Sequence, residues 1–401
     1  RIMANTFKFG NGNWAVKEDL ALAYNDQNGN FKPLPFDFTR GSSATRVNKQ
    51  GLIENVPSDQ PRIDFFNNTN GHLLLEPSRT NYLRYSEDLS QSNWVKTNTG
   101  TGVAPTVTAN YAISPDGSQN ASRVQFDING GTTISDRSRL YQDAGTGTSG
   151  SQAYSVYVKS NDTSTHTIVF RALGGSLFEK TVTTEWQRIS IDATDNSFYF
   201  ELGLYGDSAT ADTADILIWG AQMEEGSYAT SLIPTSGSAV TRSADKCFQG
   251  GLTDKGILNN SALTLYFETD IQSDTSTTYQ EIIALYNDAN SVNLRLETRT
   301  NNQLYVQHSG VVSSGSNFNN LSLGSNSINF KKFAIYLTTT QFKIFADGNQ
   351  ISSTYNGSYN LDFDRIGFRI YNNPVETLIK NKEIKLYNTA LSDSELQALT
   401  S

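Results

Sequence analysis

Three polar residues alternate along one short segment in a spacing that could support glycoside hydrolysis. Glu268, Asp270 and Gln272 are separated by Thr269 and Ile271, and an extended strand places such alternate residues on one face. Hydrolysis of a glycosidic bond needs two carboxyl groups flanking the bond, one as the acid and one as the nucleophile or base. Where the pattern needs a further carboxylate, this segment has Gln272. We therefore interpret it as the polar surface of a strand and predict that the protein is not an enzyme.

Other reactive side chains also lack the spacing of a catalytic or metal-binding motif. The single cysteine, Cys247, cannot form an intrachain disulfide, and His72, His166 and His308 are scattered along the chain without metal-ligand spacing. The sequence contains no Gly-x-Ser-x-Gly elbow, no phosphate-binding loop and no His-Glu-x-x-His motif. We therefore expect that no cofactor is required.

Charge and hydropathy patterning exclude two classes of partner. Charged residues make up 18% of the 401 residues and the formal net charge is −9, so the sequence offers no basic face for nucleic-acid phosphates. No apolar segment approaches the ~20 residues required to span a bilayer. Residues 1–30 also lack the apolar core of a signal peptide. We expect neither nucleic-acid binding nor membrane insertion.

The composition is typical of strands and turns. The chain has 19 Tyr and 21 Phe, and its polar residues are mainly Ser, Thr, Asn, Gln and Gly. Aromatic and β-branched side chains suit a pleated sheet, whereas Asn, Asp and Gly suit tight turns. Only residues 392–399 carry a helical pattern, with Ser392 as the N-cap and Glu395 three residues later. We predict an all-β fold class.

Alternating strands separated by turns divide the chain into two modules behind a leader. Residues 1–80 contain isolated aromatics between Asn-Gly turns, which predicts an irregular N-terminal docking segment. Residues 81–235 contain short alternating strands such as 153–159, typical of a sandwich or jelly roll. A polar linker follows at 236–245, and alternating strands return over 246–401. The predicted architecture is two β-sandwich (jelly-roll) domains preceded by the docking segment.

Three groups of motifs resemble a known class of proteins. They are FTRGSSATRVN at 38–48 with GLIE at 51–54 and PRID at 61–64; LLLEPSRTN at 73–81 with YSED at 85–88 and Trp94; and GAQMEEGSYATS at 220–231 with IPT at 233–235. Together they resemble phage virion and prophage proteins described as tail-fibre, head-fibre or minor structural proteins. The middle module resembles the carbohydrate-binding jelly rolls attached to many glycoside hydrolases. The last module resembles concanavalin-like and laminin-G-like sandwiches.

This resemblance implies a phage virion appendage of the fibre type that displays its sandwiches for host-surface glycan binding. The implied partners are a bacterial surface polysaccharide and, through the N-terminal segment, other virion proteins. The protein would be made in the bacterial host cytoplasm and reside in the virion. Fibre proteins generally are homo-oligomers, and a trimer is the expectation carried over from them. Two alternatives stay open: a purely architectural decoration or connector that binds no sugar and, least favoured, a glycan-degrading enzyme.

Aromatic residues supply the candidate sugar contacts, because sugar rings stack on aromatic faces beside hydrogen-bonding side chains. By residue type, the candidates are Tyr141, Tyr157, Tyr199, Tyr205 and Trp219 in the middle module and Tyr305 and Tyr336 in the last module. Most aromatics in a strand belong to the core, so each candidate also has a purely structural interpretation.

The resemblance also suggests one metal. Related jelly rolls often hold a structural calcium ion between their opening segment and their final strand, and calcium takes oxygen ligands. Asp215 begins the corresponding final strand, and Glu87 and Asp88 lie in the opening segment. These three residues are therefore the candidate calcium ligands, with solvated carboxylates as the alternative.

Two further features bear on how the N-terminal segment is held. Pro33 and Pro35 remove backbone donors, which argues against a central strand at that point. Arginines and carboxylates also alternate through the motifs: Arg40, Arg46, Arg62, Arg79, Asp37, Glu54, Asp64 and Glu76. Because arginine and carboxylate groups form strong paired hydrogen bonds, we expect an ion network that fastens this segment to a sandwich.

Overall fold

The structure is a computed structural model. It describes residues 6–12, 15–17, 20–25, 32–145, 150–172, 177–193, 199–273, 280–287, 289, 293–298, 304–309, 327–368 and 377–401. Within these ranges the regular elements are strands apart from one short helix. The prediction of an all-β class built from β-sandwiches is therefore confirmed. No helix in the described ranges has the length and apolar character needed to cross a membrane.

The strands follow one another closely along the chain. Those between residues 6 and 81 are β1 (Thr6–Gly10), β2 (Ala15–Lys17), β3 (Leu20–Asn25), β4 (Lys32–Thr39), β5 (Ala44–Val47), β6 (Ile53–Val56), β7 (Arg62–Asp64), β8 (His72–Leu75) and β9 (Arg79–Asn81). The next are β10 (Trp94–Thr99), β11 (Val103–Ala112), β12 (Ala121–Asp127), β13 (Arg137–Asp143), β14 (Gln152–Ser160), β15 (His166–Ala172), β16 (Leu177–Val182), β17 (Gln187–Ala193), β18 (Tyr199–Tyr205), β19 (Thr213–Glu225) and β20 (Val240–Arg242).

The remaining elements are β21 (Lys246–Gln249), β22 (Ala262–Ser273), β23 (Gln280–Tyr286), β24 (Asn293–Thr298), β25 (Leu304–Ser309), β26 (Ser327–Thr338), β27 (Gln341–Ala346), β28 (Asn349–Gln350), β29 (Tyr355–Asn356), β30 (Arg365–Phe368), β31 (Thr377–Tyr387) and the helix α1 (Asp393–Thr400). Ser392 caps α1: its side chain accepts from the Glu395 backbone, and the Glu395 carboxylate accepts from the Ser392 backbone. This reciprocal pair is the predicted capping box.

Packing divides the chain into two units that do not follow the order of the sequence. The first unit comprises residues 1–49, 56–78 and 243–401, and the second comprises residues 50–55 and 79–242. The sequence-based division followed chain order, with segments 1–80, 81–235, 236–245 and 246–401. The structure differs because strand pairing joins the beginning of the chain to its end. The second unit is thus inserted into the sequence of the first.

In the first unit, N-terminal strands complete the sheets of the C-terminal sandwich. Strand β31 pairs with β22 along one edge. Its other edge is taken by β1, with Phe7 opposite Leu386, and then by β8, with Leu74 opposite Lys380. Phe36, with Leu73 and Leu75, is buried in the same core, where each such side chain contributes about 1.5–3 kcal/mol. The segment predicted to be an irregular docking leader therefore forms regular strands within this unit.

Strand β4 shows how the two prolines are accommodated. Pro33 and Pro35 lie opposite Tyr24 and Leu22 of β3. On its other side, β4 pairs with β21 over residues 37–39, where Asp37 lies opposite Phe248. The prolines thus precede the part of β4 that has a strand on both sides, in keeping with their missing backbone donors.

The second unit is a sandwich of two five-stranded antiparallel sheets. The front sheet has the order β10-β13-β18-β15-β16, and the back sheet has the order β11-β12-β19-β14-β17. Side chains alternate along each strand, so that in β18 Phe200, Leu202 and Leu204 enter the core. The intervening residues of β18 therefore face outward. The strands that begin and end the 79–242 segment of this unit, β9 and β20, pair with each other, and Arg79 lies opposite Arg242.

Candidate glycan-binding face

The outward side of the front sheet gathers tyrosine and arginine side chains from three neighbouring strands. We call this surface the tyrosine–arginine face, and its members are Arg137, Arg139 and Tyr141 of β13, Tyr199, Glu201 and Tyr205 of β18, and Arg171 of β15. Strand register places Glu201 between Tyr141 on one side and Arg171 on the other. Residues thirty or more positions apart in sequence are therefore neighbours on this surface.

Glu201 is the centre of the face. Its side chain is fully buried, and one carboxylate oxygen lies 3.5 Å from Arg139 Nη1. The other carboxylate oxygen accepts a hydrogen bond from the Tyr205 hydroxyl. Burial and the neighbouring Glu201 charge raise the pKa of Tyr205, and a hydrogen bond with Arg171 opposes the shift. Tyr205 therefore remains a protonated donor that fixes the carboxylate.

Tyr205 forms the floor of the face and offers no ring surface to a ligand. It is fully buried, and the Arg137 guanidinium lies over its ring at 4.8 Å from the centroid. Gly203 makes this arrangement possible, because a Cβ there would lie only 3.0 Å from the Tyr205 ring and 3.2 Å from Arg139 Cγ. The absence of a side chain at Gly203 thus allows Tyr205 and Arg139 to lie flat across the sheet.

Two tyrosine rings remain partly exposed at one end of the face. The rings of Tyr141 and Tyr199 have centroids 5.8 Å apart and an interplanar angle of 58°. Val95, which lies opposite Tyr141 in the register, is also exposed. The charge of Asp143 and a hydrogen bond to it raise the pKa of Tyr199. These residues form an apolar edge with hydroxyl groups at its border.

Arginine donors face the same surface. The Arg139 side chain is 15% exposed, and its buried Nε has no hydrogen-bond partner among the described residues. Arg137, Arg139 and Arg171 bring three guanidinium groups to the face, where Glu201 and Asp143 supply carboxylates. The face is therefore rich in guanidinium hydrogen-bond donors.

A rigid turn borders the face next to Arg137. The Asp136 carboxylate accepts hydrogen bonds from the backbone of Thr101 at 3.0 Å and of Thr133 at 3.0 Å. These bonds hold the pKa of Asp136 well below its usual range. A Cβ on Gly131 would lie 2.3 Å from the Asp136 side chain. The turn is therefore closely packed and holds the start of β13 in place.

The five aromatic candidates of the middle module thus separate into two groups. Tyr141, Tyr199 and Tyr205 meet on the tyrosine–arginine face, whereas Tyr157 and Trp219 lie together on the back sheet with ring centroids 5.6 Å apart. The guanidinium of Arg188 covers Tyr157 at 5.4 Å, and Trp219 is buried. The residues of the face that sequence reasoning missed are Arg137, Arg139, Arg171 and Glu201.

The two candidates of the last module are held by packing within the first unit. Tyr305 is buried on β25 opposite Glu297. Tyr336, on β26, packs against the small apolar cluster that includes Leu396 of α1, and the Lys343 ammonium lies over its ring at 4.6 Å. The structure does not bring these two tyrosines together.

Two of the three candidate calcium ligands have partners of their own. Asp215 accepts from Arg123, with Nε at 2.9 Å from Oδ1 and Nη2 at 2.5 Å from Oδ2. Asp88 accepts from Ser90 and Gln91, whereas burial and the charge of Asp116 raise the pKa of Glu87. In the part of the chain that the structure describes, no three His, Cys, Asp or Glu side chains are grouped to hold a metal. Calcium binding stays a prediction.

The alternating carboxylates of β22 are paired with lysines. Glu268 lies 3.2 Å from Lys382 Nζ, and Asp270 lies 3.3 Å from Lys380 Nζ. Both lysines belong to the neighbouring strand β31. This pairing suits the interpretation of the segment as the polar surface of a strand.

The motif residues of the N-terminal segment form a buried ion cluster in the first unit. We use this name for Arg40, Arg62, Glu76 and Asp245. Asp245 lies 3.2 Å from Arg40 Nη1 and 2.5 Å from Arg62 Nη2, and Glu76 lies 2.7 Å from Arg62 Nη1. Burial opposes the charged form of Arg62, but Asp245 and Glu76 outweigh it and raise the Arg62 pKa. The expected network is present, with Asp245 as a member that the motifs did not reveal.

The other motif residues stabilise the second unit. Asn81 is buried and uses its whole amide: Nδ2 donates to the carbonyls of Ala221 and Ile233, and Oδ1 accepts from the backbone of Leu83 and Met223. Buried Glu224 likewise accepts from the backbone and the hydroxyl of Thr230, the latter at 2.6 Å. These contacts explain the residue types of the motifs without a ligand.

Comparisons with known proteins identify fold-level neighbours only. No protein-family model and no curated protein matches the sequence. Similar solved structures include the CBM40 module of the Ruminococcus gnavus IT-sialidase bound to alpha2,3 sialyllactose, at 14% identity and a TM-score of 0.28, covering 37% of this chain and 86% of that chain. Domain 4 of the Geobacillus stearothermophilus arabinanase AbnA, in complex with arabinotriose, is 11% identical with a TM-score of 0.28, covering 39% of this chain and 73% of that chain.

A third similar structure concerns botulinum neurotoxin type C, whose cell entry depends on interaction with two ganglioside molecules. It is 13% identical with a TM-score of 0.33. The similar region covers 39% of this chain and 39% of the neurotoxin chain.

Proposed function

We propose that the second unit is a glycan-binding module and that the tyrosine–arginine face is its binding site. The observation that carries this proposal is the position of the partly exposed Tyr141 and Tyr199 rings beside Arg139, Arg171 and Glu201 on one sheet. Aromatic surface next to a few fixed polar groups is the general composition of a small-ligand site.

Each part of the face has a role in this proposal. The apolar C–H surface of a sugar ring packs on Tyr141 and Tyr199, which bury a large area at a small entropic cost. Arg139 and Arg171 donate hydrogen bonds to hydroxyl or carboxylate oxygens of the sugar. Because Glu201 and Tyr205 already hold these groups in place, little ordering remains to be done when a ligand binds.

The charge of the face favours an acidic glycan. Arg137, Arg139 and Arg171 bring three guanidinium groups to one face, so the carboxylate of a uronic or sialic acid residue meets cationic donors even though the chain carries a net charge of −9. A planar guanidinium binds a carboxylate through paired hydrogen bonds. We therefore propose an acidic bacterial surface polysaccharide as the ligand class.

We place this activity in a phage virion appendage of the fibre type. The support is the resemblance of the motifs at 38–48, 73–81 and 220–231 to phage structural proteins. In an oligomer, several weak sites would add up to a useful avidity at a cell surface. Docking on other virion proteins would then use exposed surfaces of the first unit, since several N-terminal strands pair within that unit.

A second candidate function, an architectural connector, is favoured by exposed apolar residues of the second unit. Leu52 is 40% exposed and Ile113 is 55% exposed. Both lie near the 113–117 turn, where Ile53 donates to the Pro115 carbonyl and a Cβ on Gly117 would lie 3.3 Å from Leu52. Such residues suit a protein–protein contact.

Glycan binding by single-site variants of the full chain tests the proposal. We expect Tyr141→Ala and Arg139→Lys, which keeps a positive charge beside the buried Glu201, to weaken binding to acidic glycans by about tenfold or more while the melting temperature changes little. Tyr111→Ala is the matched control, because Tyr111 is an exposed tyrosine of the back sheet with Arg123 over its ring at 5.0 Å. An array should carry acidic glycans and neutral glycans with the same backbone.

Equal binding by all three variants would place the site elsewhere. If the folded chain binds none of the acidic and neutral bacterial polysaccharides, the proposal is overturned and the connector is favoured. Repeating the measurement with and without calcium also tests the predicted calcium ion.

A further inference from the structure

Two exposed carboxylates border the tyrosine–arginine face, one at the end of a central strand and one at the edge of the sheet. Asp143 follows Tyr141 by two residues on β13, so strand alternation places both side chains on the outer side of the front sheet. Glu179 lies on β16, where Phe178 and Val182 pack toward the core. Alternation therefore turns Glu179 to the same outer side.

The register of the strands shows where Glu179 lies relative to the arginines. Glu179 lies opposite Val169 of β15, and Val169 lies opposite Gly203 of β18. Gly203 in turn lies opposite Arg139 of β13, so three strand spacings, about 14 Å in all, separate the backbones of Glu179 and Arg139. Neither Val169 nor Gly203 has a polar side chain. Along this row, positive charge at β13 gives way to negative charge at β16.

Arg171 approaches the same border. It lies opposite Leu177 of β16, which is two residues before Glu179 on that strand. Diagonal neighbours of this kind in an antiparallel pair are about 7–8 Å apart. Among the described strands, β16 is the last of the front sheet on this side. The carboxylate of Glu179 therefore lies at the outer limit of the guanidinium groups.

Asp143 marks the other border, beside the exposed tyrosines. One of its carboxylate oxygens accepts a hydrogen bond from the Gly145 amide at 2.8 Å. Asp143 also lies opposite Tyr199 in the register and is hydrogen-bonded to its hydroxyl group. Four residues along β13, ~13 Å, separate Asp143 from Arg139. A fixed negative charge thus lies on the far side of the tyrosine rings from that guanidinium.

The charges of this surface are therefore arranged in zones. The guanidinium groups of Arg139 and Arg171 occupy the middle, where the buried Glu201 holds Arg139. One exposed carboxylate lies beyond them at the β13 end, and another lies at the β16 edge. One acidic sugar residue suits the middle zone, whereas an acidic residue on either side of it would meet a like charge. Such repulsion discriminates between ligands that make the same attractive contacts.

We propose that the tyrosine–arginine face selects a glycan segment in which one acidic residue lies between neutral residues, and that Asp143 and Glu179 determine this specificity. This inference rests on the proposed glycan binding by the second unit. The carboxylate of the acidic residue binds the guanidinium groups, and a neutral neighbour packs on the two exposed tyrosines. Asp143 and Glu179 repel further carboxylates. The ligand class thus narrows to heteropolysaccharides whose acidic residues are separated by neutral ones.

Calorimetric titration of the full chain at low salt tests this specificity with two sets of trisaccharides, one on a glucose and one on a galactose backbone. In each set, one member is neutral, one carries a uronic acid only at its centre, and one carries uronic acids at all three positions. We expect the centre-acid member to bind most tightly. The all-acid member should bind about fivefold more weakly, since each like charge at about 7 Å in water weakens binding two- to threefold. Salt should reduce this preference.

Variants at the two borders test the assigned residues. Asp143→Asn and Glu179→Gln each keep the size of an exposed side chain, so the melting temperature should change little. We expect each to reduce the preference for the centre-acid over the all-acid trisaccharide about two- to threefold, and the double variant to remove it. The ratio of the two affinities is the readout, because a general change in charge acts on both ligands. Asp192→Asn, at an exposed position of β17 in the back sheet, is the matched control and should keep the preference.

The outcomes distinguish this specificity from glycan binding itself. Equal affinity for the centre-acid and all-acid trisaccharides, or a preference that the double variant keeps, overturns the specificity and leaves glycan binding in place. Failure of every trisaccharide to bind, when acidic polysaccharides do bind, overturns it as well. If the folded chain binds neither the trisaccharides nor any polysaccharide, the proposed function and the specificity are overturned together.

Discussion

Two of the arginine–carboxylate clusters among the described residues, one in each unit, differ in how much water reaches them. In the buried ion cluster, the side chains of Arg40, Arg62 and Asp245 are 0% exposed. On the tyrosine–arginine face, Glu201 is equally buried, but its partner Arg139 is 15% exposed. The same chemical groups are closed to water in the buried ion cluster and partly open to it on the tyrosine–arginine face.

This difference separates scaffolding from recognition. An enclosed charge must be balanced within the fold, as that of Arg62 is by Glu76 and Asp245, and a ligand from solution does not reach it. A half-open guanidinium held by a buried carboxylate keeps donors for another molecule. Glu201 thus serves Arg139 as Asp245 serves Arg62, but only Arg139 can also reach a ligand.

The largest effect is expected for Asp245→Asn. This change leaves Arg40 and Arg62 buried with too little negative charge, and breaking a buried pair is destabilising by about 3–5 kcal/mol. Urea unfolding followed by amide hydrogen exchange should show lower protection in β21 and β31, with β13 and β18 unaffected. Asp347→Asn is the control, because Asp347 pairs with Lys331 at 3.2 Å on the surface and should contribute under ~1 kcal/mol. Equal effects would remove the distinction between enclosed and open pairs.

A smaller effect is expected for Glu201→Gln. The amide still accepts from Tyr205 but turns its nitrogen toward Arg139, so we expect a loss of about 1–3 kcal/mol in the second unit. Removing the carboxylate also makes the face more positive, and affinity for acidic glycans should rise at low salt and fall as salt screens the charges. Asp192→Asn removes the same charge from an exposed position on strand β17 of the back sheet and should change neither. Weaker acidic-glycan binding by Glu201→Gln at low salt would contradict the electrostatic part of the proposal.

The smallest effect concerns acid stability at the border of the face. Hydrogen bonds from Thr101 and Thr133 lower the pKa of Asp136, so its contribution is fully present above the unfolded value of about 3.9. That contribution is lost as the pH falls through the lower folded value. The melting temperature of the second unit should therefore fall less steeply below about pH 4 in Asp136→Asn. Asp207→Asn, at an exposed residue, should follow the original chain, and parallel curves for all three proteins would refute this assignment.

The sequence was sufficient for local structure, because local structure depends on short spacing. The alternation of Phe200, Leu202 and Leu204 predicts a strand with one buried face. Ser392 and Glu395 predict a helix start, which the capping box of α1 reproduces. The arginines and carboxylates of the motifs likewise predicted an ion network, and Arg40, Arg62 and Glu76 are members of it.

Pairing between residues far apart in the chain could not be predicted from the sequence. Nothing near Phe7 indicates that it lies opposite Leu386, and nothing near Asp245 indicates that it joins Arg40 and Arg62. The face was missed for the same reason: alternation shows that Arg139 and Glu201 point outward, but it does not show that β13 and β18 are neighbours. A tyrosine in the sequence indicated the face correctly only where the order of the strands also placed arginines beside it.

Because β9 pairs with β20, the chain segment that lies between them could be exchanged as one piece. The long segment of the second unit, residues 79–242, begins and ends on two adjacent strands, with Arg79 opposite Arg242, so its two ends are joined before the chain returns to residues 243–401. A different module whose ends are equally close could replace this segment by recombination at these two points. A lineage carrying this chain could then exchange the segment while inheriting the first unit.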